Sequence, residues 1–407
     1  MEAKNESRTK MIGGVLIVWV IAIALYYGMN ALEPILTANP HLFGFAEWIT
    51  GAAAEPGWKV LWAIGDFTEG TVHKSLLGSI GLVGFGFIAH WINKTKPEVK
   101  IYGISFNTGN FPWVVIAATS GLLISAFLYC RYLGTLGWLP TFLPGCTIPA
   151  ALVTMYGGGW KTSLTSGVLS GIVQFPLAYV GMILAVKMGM PSLVLVTVFG
   201  MTAGGFIITE VFRLLPWTRA IVFGKVAPSF PGYGENRAAI PVESTMGWVF
   251  RRTVTDPTEV FFFGSEIAGI GLLIGSMLSW FLNPLHNVYG IPHLFTAVLA
   301  AQLMGCSLCA LVYYKKWKDF AWYPTYTVPI SVGVILLQFG TALPLILVSV
   351  LLCTFIIPPI AWKFMCFVTS KMPRYPGMCG SVSGMGVGIA ICVLIIKGLL
   401  LAGVPLL

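Results

Sequence analysis

The chain has 407 residues, of which 57% are hydrophobic and 10% charged, with 24 Lys and Arg against 15 Asp and Glu and a mean hydropathy of +0.84. Soluble domains carry about 25% charged residues, so there are too few polar groups to clothe a soluble protein of this length. An ordinary cytosolic enzyme, a disordered chain and a nucleic-acid binder are excluded, leaving an all-α, polytopic integral membrane protein.

A helix needs about 20 apolar residues to cross the hydrocarbon core. On that ruler eleven spans are predicted, at 12–30, 72–93, 111–130, 138–156, 163–186, 191–213, 260–282, 292–314, 324–342, 343–364 and 380–400. The runs are too long and too continuously apolar for barrel strands. The first run follows a polar stretch and precedes no small-residue cleavage site, so it reads as a retained helix rather than a signal peptide. With the N-terminus inside, nineteen of the 24 Lys and Arg fall on the cytoplasmic side; Lys59, Lys74, Arg131, Lys187 and Lys397 fall on the other. That asymmetry supports an N-in, C-out topology in a plasma membrane (the inner membrane, if the source is bacterial).

In chain order, 1–110 reads as a two-span region whose outer segment 31–71 is rich in Trp and suits the headgroup interface. Within it Asp66, Glu69, His73 and Lys74 read as a solvated cluster at a helix entry. Residues 111–216 and 260–373 are expected to form two parallel four-helix repeats. Three matches support this: Leu122-Leu123-Ile124 with Leu272-Leu273-Ile274, Trp160-Lys161 with Trp317-Lys318, and Gln174-Phe175 with Gln338-Phe339. Residues 217–259 read as a cytoplasmic linker with a short interfacial helix near 242–254, and 374–407 as a glycine-rich last span.

Ionisable and polar residues at membrane depth are costly and point to function. Glu266, placed in apolar surroundings within a span, is expected to bind a coupling H+ or Na+, and Glu210 is its weaker companion, spaced to pair with Arg213. The amides of Gln174, Gln302 and Gln338 can donate and accept towards a polar solute. Three stretches look like helix breaks: 140–149, 324–333 with Thr327 and Ser331, and 376–388 with Ser381 and Ser383. Half-helix ends of this kind offer free backbone groups to a substrate. The serine-glycine run hints at an anion, although its Gly380/Gly384/Gly388 spacing equally fits close helix packing.

There is no Walker A sequence, no HExxH and no nucleophile elbow, so neither an ATP-driven pump nor an enzyme is expected, and no cofactor or metal. The eight cysteines lie in or beside apolar runs and suggest no disulfide framework. The expected function is a secondary active transporter for a small polar solute, an anion on the hint of the serine-glycine run, driven by a H+ or Na+ gradient, in contact with membrane lipid and able to form a homo-oligomer. Competing expectations are the permease subunit of a multi-component system, docking a partner through the basic inner loop, and an intramembrane enzyme acting on lipid-linked substrates.

Overall fold

The computed structural model describes residues 2–96, 98–99, 101, 104–223, 245–320 and 322–407. Among them every regular element is helical. Eight helices are long and apolar enough to cross a membrane: Arg8–Ala38, Leu76–Thr95, Phe111–Leu136, Trp160–Lys187, Ser192–Leu214, Leu294–Val312, Leu343–Lys371 and Gly377–Leu401. The other three predicted spans coincide with shorter apolar helices, Leu143–Tyr156, Glu266–Leu282 and Thr327–Phe339.

The shortening has a local cause. Each of the three begins late, after a segment that cannot be helical throughout. Prolines at 140, 144 and 149 crowd the first, and prolines at 324 and 329 the third, each removing an amide donor. The middle one is delayed by a turn in which Phe262 and Gly264 have positive φ. Elements are labelled here as α1 (Glu2–Ala38), α2 (Phe45–Ala54), α3 (Pro56–Gly65), α4 (Leu76–Thr95), α5 (Phe111–Tyr129), α6 (Ile148–Tyr156), α7 (Trp160–Lys187) and α8 (Ser192–Leu214). After α9 (Pro216–Phe223) come α10 (Met246–Glu259), α11 (Glu266–Leu282), α12 (Leu294–Val312), α13 (Thr327–Phe339), α14 (Leu343–Lys371) and α15 (Gly377–Leu401).

At the centre α4 and α11 cross in opposite directions. A Cβ placed on Gly81 would meet the Gly271 carbonyl oxygen, and one on Gly271 would meet the Gly81 carbonyl oxygen. Only glycine permits backbones this close. Further along, the Leu77 amide donates to Ser279 Oγ at 3.2 Å. Partner numbers fall on one helix as they rise on the other, so the pair is antiparallel, and the reciprocal glycine contact marks a local two-fold axis.

That axis relates two halves of the chain. Asp66-Phe67-Thr68-Glu69 recurs as Asp256-Pro257-Thr258-Glu259, 190 residues on; Trp138-Leu139-Pro140-Thr141 recurs as Trp322-Tyr323-Pro324-Thr325, 184 on. Thr147-Ile148-Pro149 recurs as Thr327-Val328-Pro329, and Pro176-Leu177-Ala178-Tyr179 as Pro359-Ile360-Ala361-Trp362. The order of elements agrees: α3 to α8 correspond to α10 to α15. This correspondence differs in register and direction from the parallel one expected between 111–216 and 260–373. Helix α1 has no counterpart. It packs on the second half, with Trp19 Nε1 donating to Met304 O at 3.3 Å.

The halves also interlock. The amide of Ser105, in the turn after α4, donates to Phe263 O at 2.8 Å, and the amide of Val288, in the turn after α11, donates to His73 O at 2.9 Å. Ser105 and Val288 share a φ of 45°. Each half therefore fastens the turn that opens the central helix of the other. The helix expected near 242–254 is α10, and one face of it is packed against the protein: Trp248, Val249 and Arg252 are buried, and Trp248 Nε1 donates to Ala310 O at 3.1 Å. The expected linker residues 224–244, with Lys225 and Arg237, lie outside the described residues.

Candidate functional site: two buried charge cradles and the cavity between them

The turn before α4 is a knot built on Thr68. Its hydroxyl donates to Gly65 O at 3.1 Å and accepts the Ser75 amide at 2.9 Å. The turn before α11 repeats this. Thr258 donates to Thr255 O at 2.8 Å and accepts the Ser265 amide at 3.0 Å. Backbone bonds match as well: the His73 amide reaches Thr68 O at 3.2 Å, and the Phe263 amide reaches Thr258 O at 3.1 Å. Val72 and Phe262 occupy equivalent left-handed positions, with φ of 64° and 62°. Such conformations cost non-glycine residues about 1–3 kcal/mol and persist where the surroundings over-determine them.

Each knot carries an Asp and a Glu, and a cation joins them. Lys74 pairs with Asp66 and lies 2.9 Å from Glu69 Oε2, with all three side chains fully buried. Arg252 pairs with Asp256 and donates to Glu259 Oε1 at 2.9 Å, with side-chain exposures of 1–2%. Each cation also faces an indole: Lys74 Nζ sits 3.6 Å from the Trp62 ring centroid and Arg252 Cζ 3.8 Å from that of Trp317. Burying ions is expensive unless they are paired and hydrogen-bonded, and these are. The solvated helix-entry cluster expected at 66–74 is thereby corrected. It is interior, because the following turn folds it under α4 instead of leading it into water.

The tryptophans of the second motif complete the cradles. Trp138 Nε1 donates to Glu69 Oε1, and Trp322 Nε1 donates to Glu259 Oε2 at 3.0 Å. In the first cradle Thr141 also donates to Asp66 Oδ2, at 2.9 Å. In the second the equivalent Thr325 turns to Tyr323 O at 3.4 Å, and Asp256 Oδ2 is buried without a hydrogen-bond partner.

A cavity lies between the cradles. Its wall takes equivalent residues from both halves: Gly70 and Val260 from the two turns, Met201 and Met385 from α8 and α15. Met201 falls in a π-helical stretch, Thr197–Ala203, a distortion common at functional sites. Among the described residues Glu259 is the one charged side chain on this wall. A second cavity of about 280 Å³ adjoins it, sharing Phe142 and Leu193 and reaching Glu69, Trp138, Tyr289 and Gln338.

The residues singled out from the sequence distribute unevenly around this space. Gln338 is exposed on the larger cavity, and Ser381 lies on the wall of the smaller one, where it bonds the Tyr326 hydroxyl at 2.9 Å. Gln174 donates to Thr147 Oγ1 at 2.8 Å and to Gly200 O at 3.3 Å. Gln302 donates to Thr71 O and Pro329 O and bonds His73 at 2.7 Å. Thr327 donates to Pro324 O and Ser331 to Thr327 O, both at 2.7 Å, while Ser383 bonds Thr202 at 2.7 Å. Glu266 opens α11 and meets Arg251 at 2.6 Å, so its surroundings are not apolar. Glu210 is partly exposed, 3.0 Å from Arg374 and 4.0 Å from Arg213. The break expected at 376–388 is continuous helix, with Gly380, Gly384 and Gly388 packed against α14.

Glu259, Arg252 and Asp256 were not among the residues singled out. The signal that finds them is the recurrence of Asp-x-Thr-Glu and Trp-x-Pro-Thr at nearly the same separation. Among the described residues no group of His, Cys, Asp and Glu is arranged to hold a metal ion. Comparison with protein-family models, with curated proteins and with solved structures finds no match to this chain.

Proposed function

We propose that this protein is a secondary active carrier in which the two halves rock about the crossing of α4 and α11. The observation that carries the reading is the pair of antiparallel, interlocked halves, each bringing one buried Asp–cation–Glu cradle to one of two adjoining cavities. Halves repeated in opposite senses are a recurring plan among secondary transporters. In these the site lies at the repeat interface and discontinuous helices line it. The late-starting helices α6, α11 and α13 fit that plan.

An antiparallel duplication has a direct mechanical use. If one half adopts the conformation of the other and vice versa, the molecule returns to the same set of contacts with its opening on the opposite side. The two states then differ little in free energy, as a carrier requires. With the N-terminus inside, the predicted topology puts Gln338 and Pro191 of the 280 Å³ cavity toward the outer side, which fits an outward-facing arrangement. The coupling role expected of Glu266 passes to Glu69 and Glu259, because these carboxylates face the cavities while Glu266 is held by Arg251.

The test uses purified protein in liposomes carrying imposed H+ or Na+ gradients and a panel of labelled solutes. The expected result is gradient-driven accumulation of one solute class. Glu69→Gln and Glu259→Gln should each abolish accumulation, and Glu69→Gln should spare solute exchange. Accumulation that survives both substitutions overturns the coupling assignment, and absence of any carrier-mediated flux across the panel overturns the carrier reading.

A further inference from the structure

We propose that the solute is a small organic cation, a protonated or quaternary amine with an apolar body, bound in the cavity between the cradles with its charge against Glu259. This rests on the carrier reading for its direction of use but not for the binding itself.

The charge count comes first. Each cradle sets two carboxylates against one cation: Asp66 and Glu69 against Lys74, and Asp256 and Glu259 against Arg252. The second cradle, whose Glu259 lines the cavity, therefore holds one surplus negative charge. The neighbouring Arg251 does not make up the difference, since it is matched by Glu266. His73 has both ring nitrogens engaged, by Ser276 and Gln302. Two buried carboxylate oxygens of the cradles, Asp256 Oδ2 and Glu69 Oε2, have no hydrogen bond. An anion entering this space would meet net negative charge at the Glu259 end, and a cation would neutralise it.

The wall chemistry narrows the class. Beyond Glu259 the cavity is lined mainly by sulfur and aromatic surface, including Met201, Met385, Phe142, Trp322 and Tyr326. A bare alkali ion needs oxygen ligands to replace its water, and these walls supply few. An ammonium group is attracted by aromatic faces and needs no such shell, while methionine adapts to apolar bodies of varied shape. The cavity at Glu259 is small, about 40 Å³, with room for an ammonium head alone. The apolar body would lie in the adjoining cavity of about 280 Å³, whose wall shares Phe142 and Leu193 with the first.

The proposal departs from the anionic solute suggested by the serine-glycine run. That run is spent on packing α15 against α14 and α8, with a Cβ on Gly380 meeting Phe364 O and one on Gly386 meeting Thr197 and Val194.

Three probes of one shape separate the possibilities: phenethylamine, 2-phenylethanol and 3-phenylpropanoate, bearing positive, no and negative charge at pH 7. Each is titrated into the full-length protein in nanodiscs, read by calorimetry and by indole fluorescence. Phenethylamine is expected to bind at least tenfold more tightly than the alcohol, with the carboxylate weakest. Glu259→Gln should cut the cation's preference over the alcohol to below threefold. Cooperative thermal unfolding of the variant reports that it is folded. Equal or tighter binding of the carboxylate, failure of the amine to bind, or a full preference surviving in Glu259→Gln overturns the proposal. Binding with the expected charge order but no flux in liposomes would sink the carrier reading alone, and coupled flux of an anion would sink this inference alone.

Discussion

The two cradles share a motif, a threonine knot and an indole donor, yet they obtain their cation from different places. In the first it is Lys74, eight residues after the Asp and inside the turn, at a φ of 39°. In the second it is Arg252, four residues before the Asp and one helical turn away on α10. The position equivalent to Lys74 is Gly264, which takes its φ of 59° without strain. The position equivalent to Arg252 is Trp62, which is the ring Lys74 rests on. What the two halves retain is a positive charge within reach of both carboxylates and an aromatic face beneath it. Where that charge sits along the chain is free to differ. The requirement is electrostatic, and each half has met it with its own residue.

The comparison is broken most forcefully by removing the cations. Lys74→Ala and Arg252→Ala each leave two buried carboxylates uncompensated, and each is expected to destabilise the protein by about 3–5 kcal/mol. Thermal unfolding in detergent would show this as a large drop in Tm for both variants. A second change, Asp66→Asn with Lys74→Ala or Asp256→Asn with Arg252→Ala, should recover part of the loss. A large effect from one cation and a negligible one from the other would mean that the cradles are not equivalent.

A smaller effect tests the one bond they do not share. Thr141 donates to Asp66 whereas Thr325 does not reach Asp256. Thr141→Val should cost about 1–3 kcal/mol, the price of leaving a buried charged acceptor short of a donor, and Thr325→Val well under about 1 kcal/mol by the same reasoning. Equal losses would show that the asymmetry is not a property of the resting protein. The smallest expected effect is that of Glu210→Gln. Its pairs with Arg213 and Arg374 involve side chains between 22% and 57% exposed, and exposed pairs contribute about 0–1 kcal/mol. A Tm within a degree or two of the parent would confirm that this acid stands outside the machinery.

Much of the scaffold was legible from hydropathy. All eight long helices lie on predicted spans, and the three short ones lie on predicted spans flanked by proline or by the turn at 260–265. These positions are legible because lipid forces the backbone to bond within each helix, so apolar length alone marks it. The site was not legible in the same way. Asp66 to Lys74 and Arg252 to Glu259 lie just outside apolar runs, where charge ordinarily means water. Only tertiary pairing reverses that meaning, and hydropathy contains no term for it. A duplication was legible, but in another register, because the strongest recurrences, Asp-x-Thr-Glu and Trp-x-Pro-Thr, lie in turns rather than in apolar helices. Gln174 and Gln338 illustrate the cost: one is buried and bonded to Thr147, and the other is exposed on a cavity wall.

The reciprocal latch between the halves bears on how the chain is made. Ser105 closes the turn at Phe263, and Val288 closes the turn at His73. During synthesis the first half can form its Thr68 knot from its own residues, but one bond on that turn waits until residue 288 has been translated. The turn that opens α11, by contrast, finds its partner Ser105 already made. The order in which the two latches close is thus written in the chain.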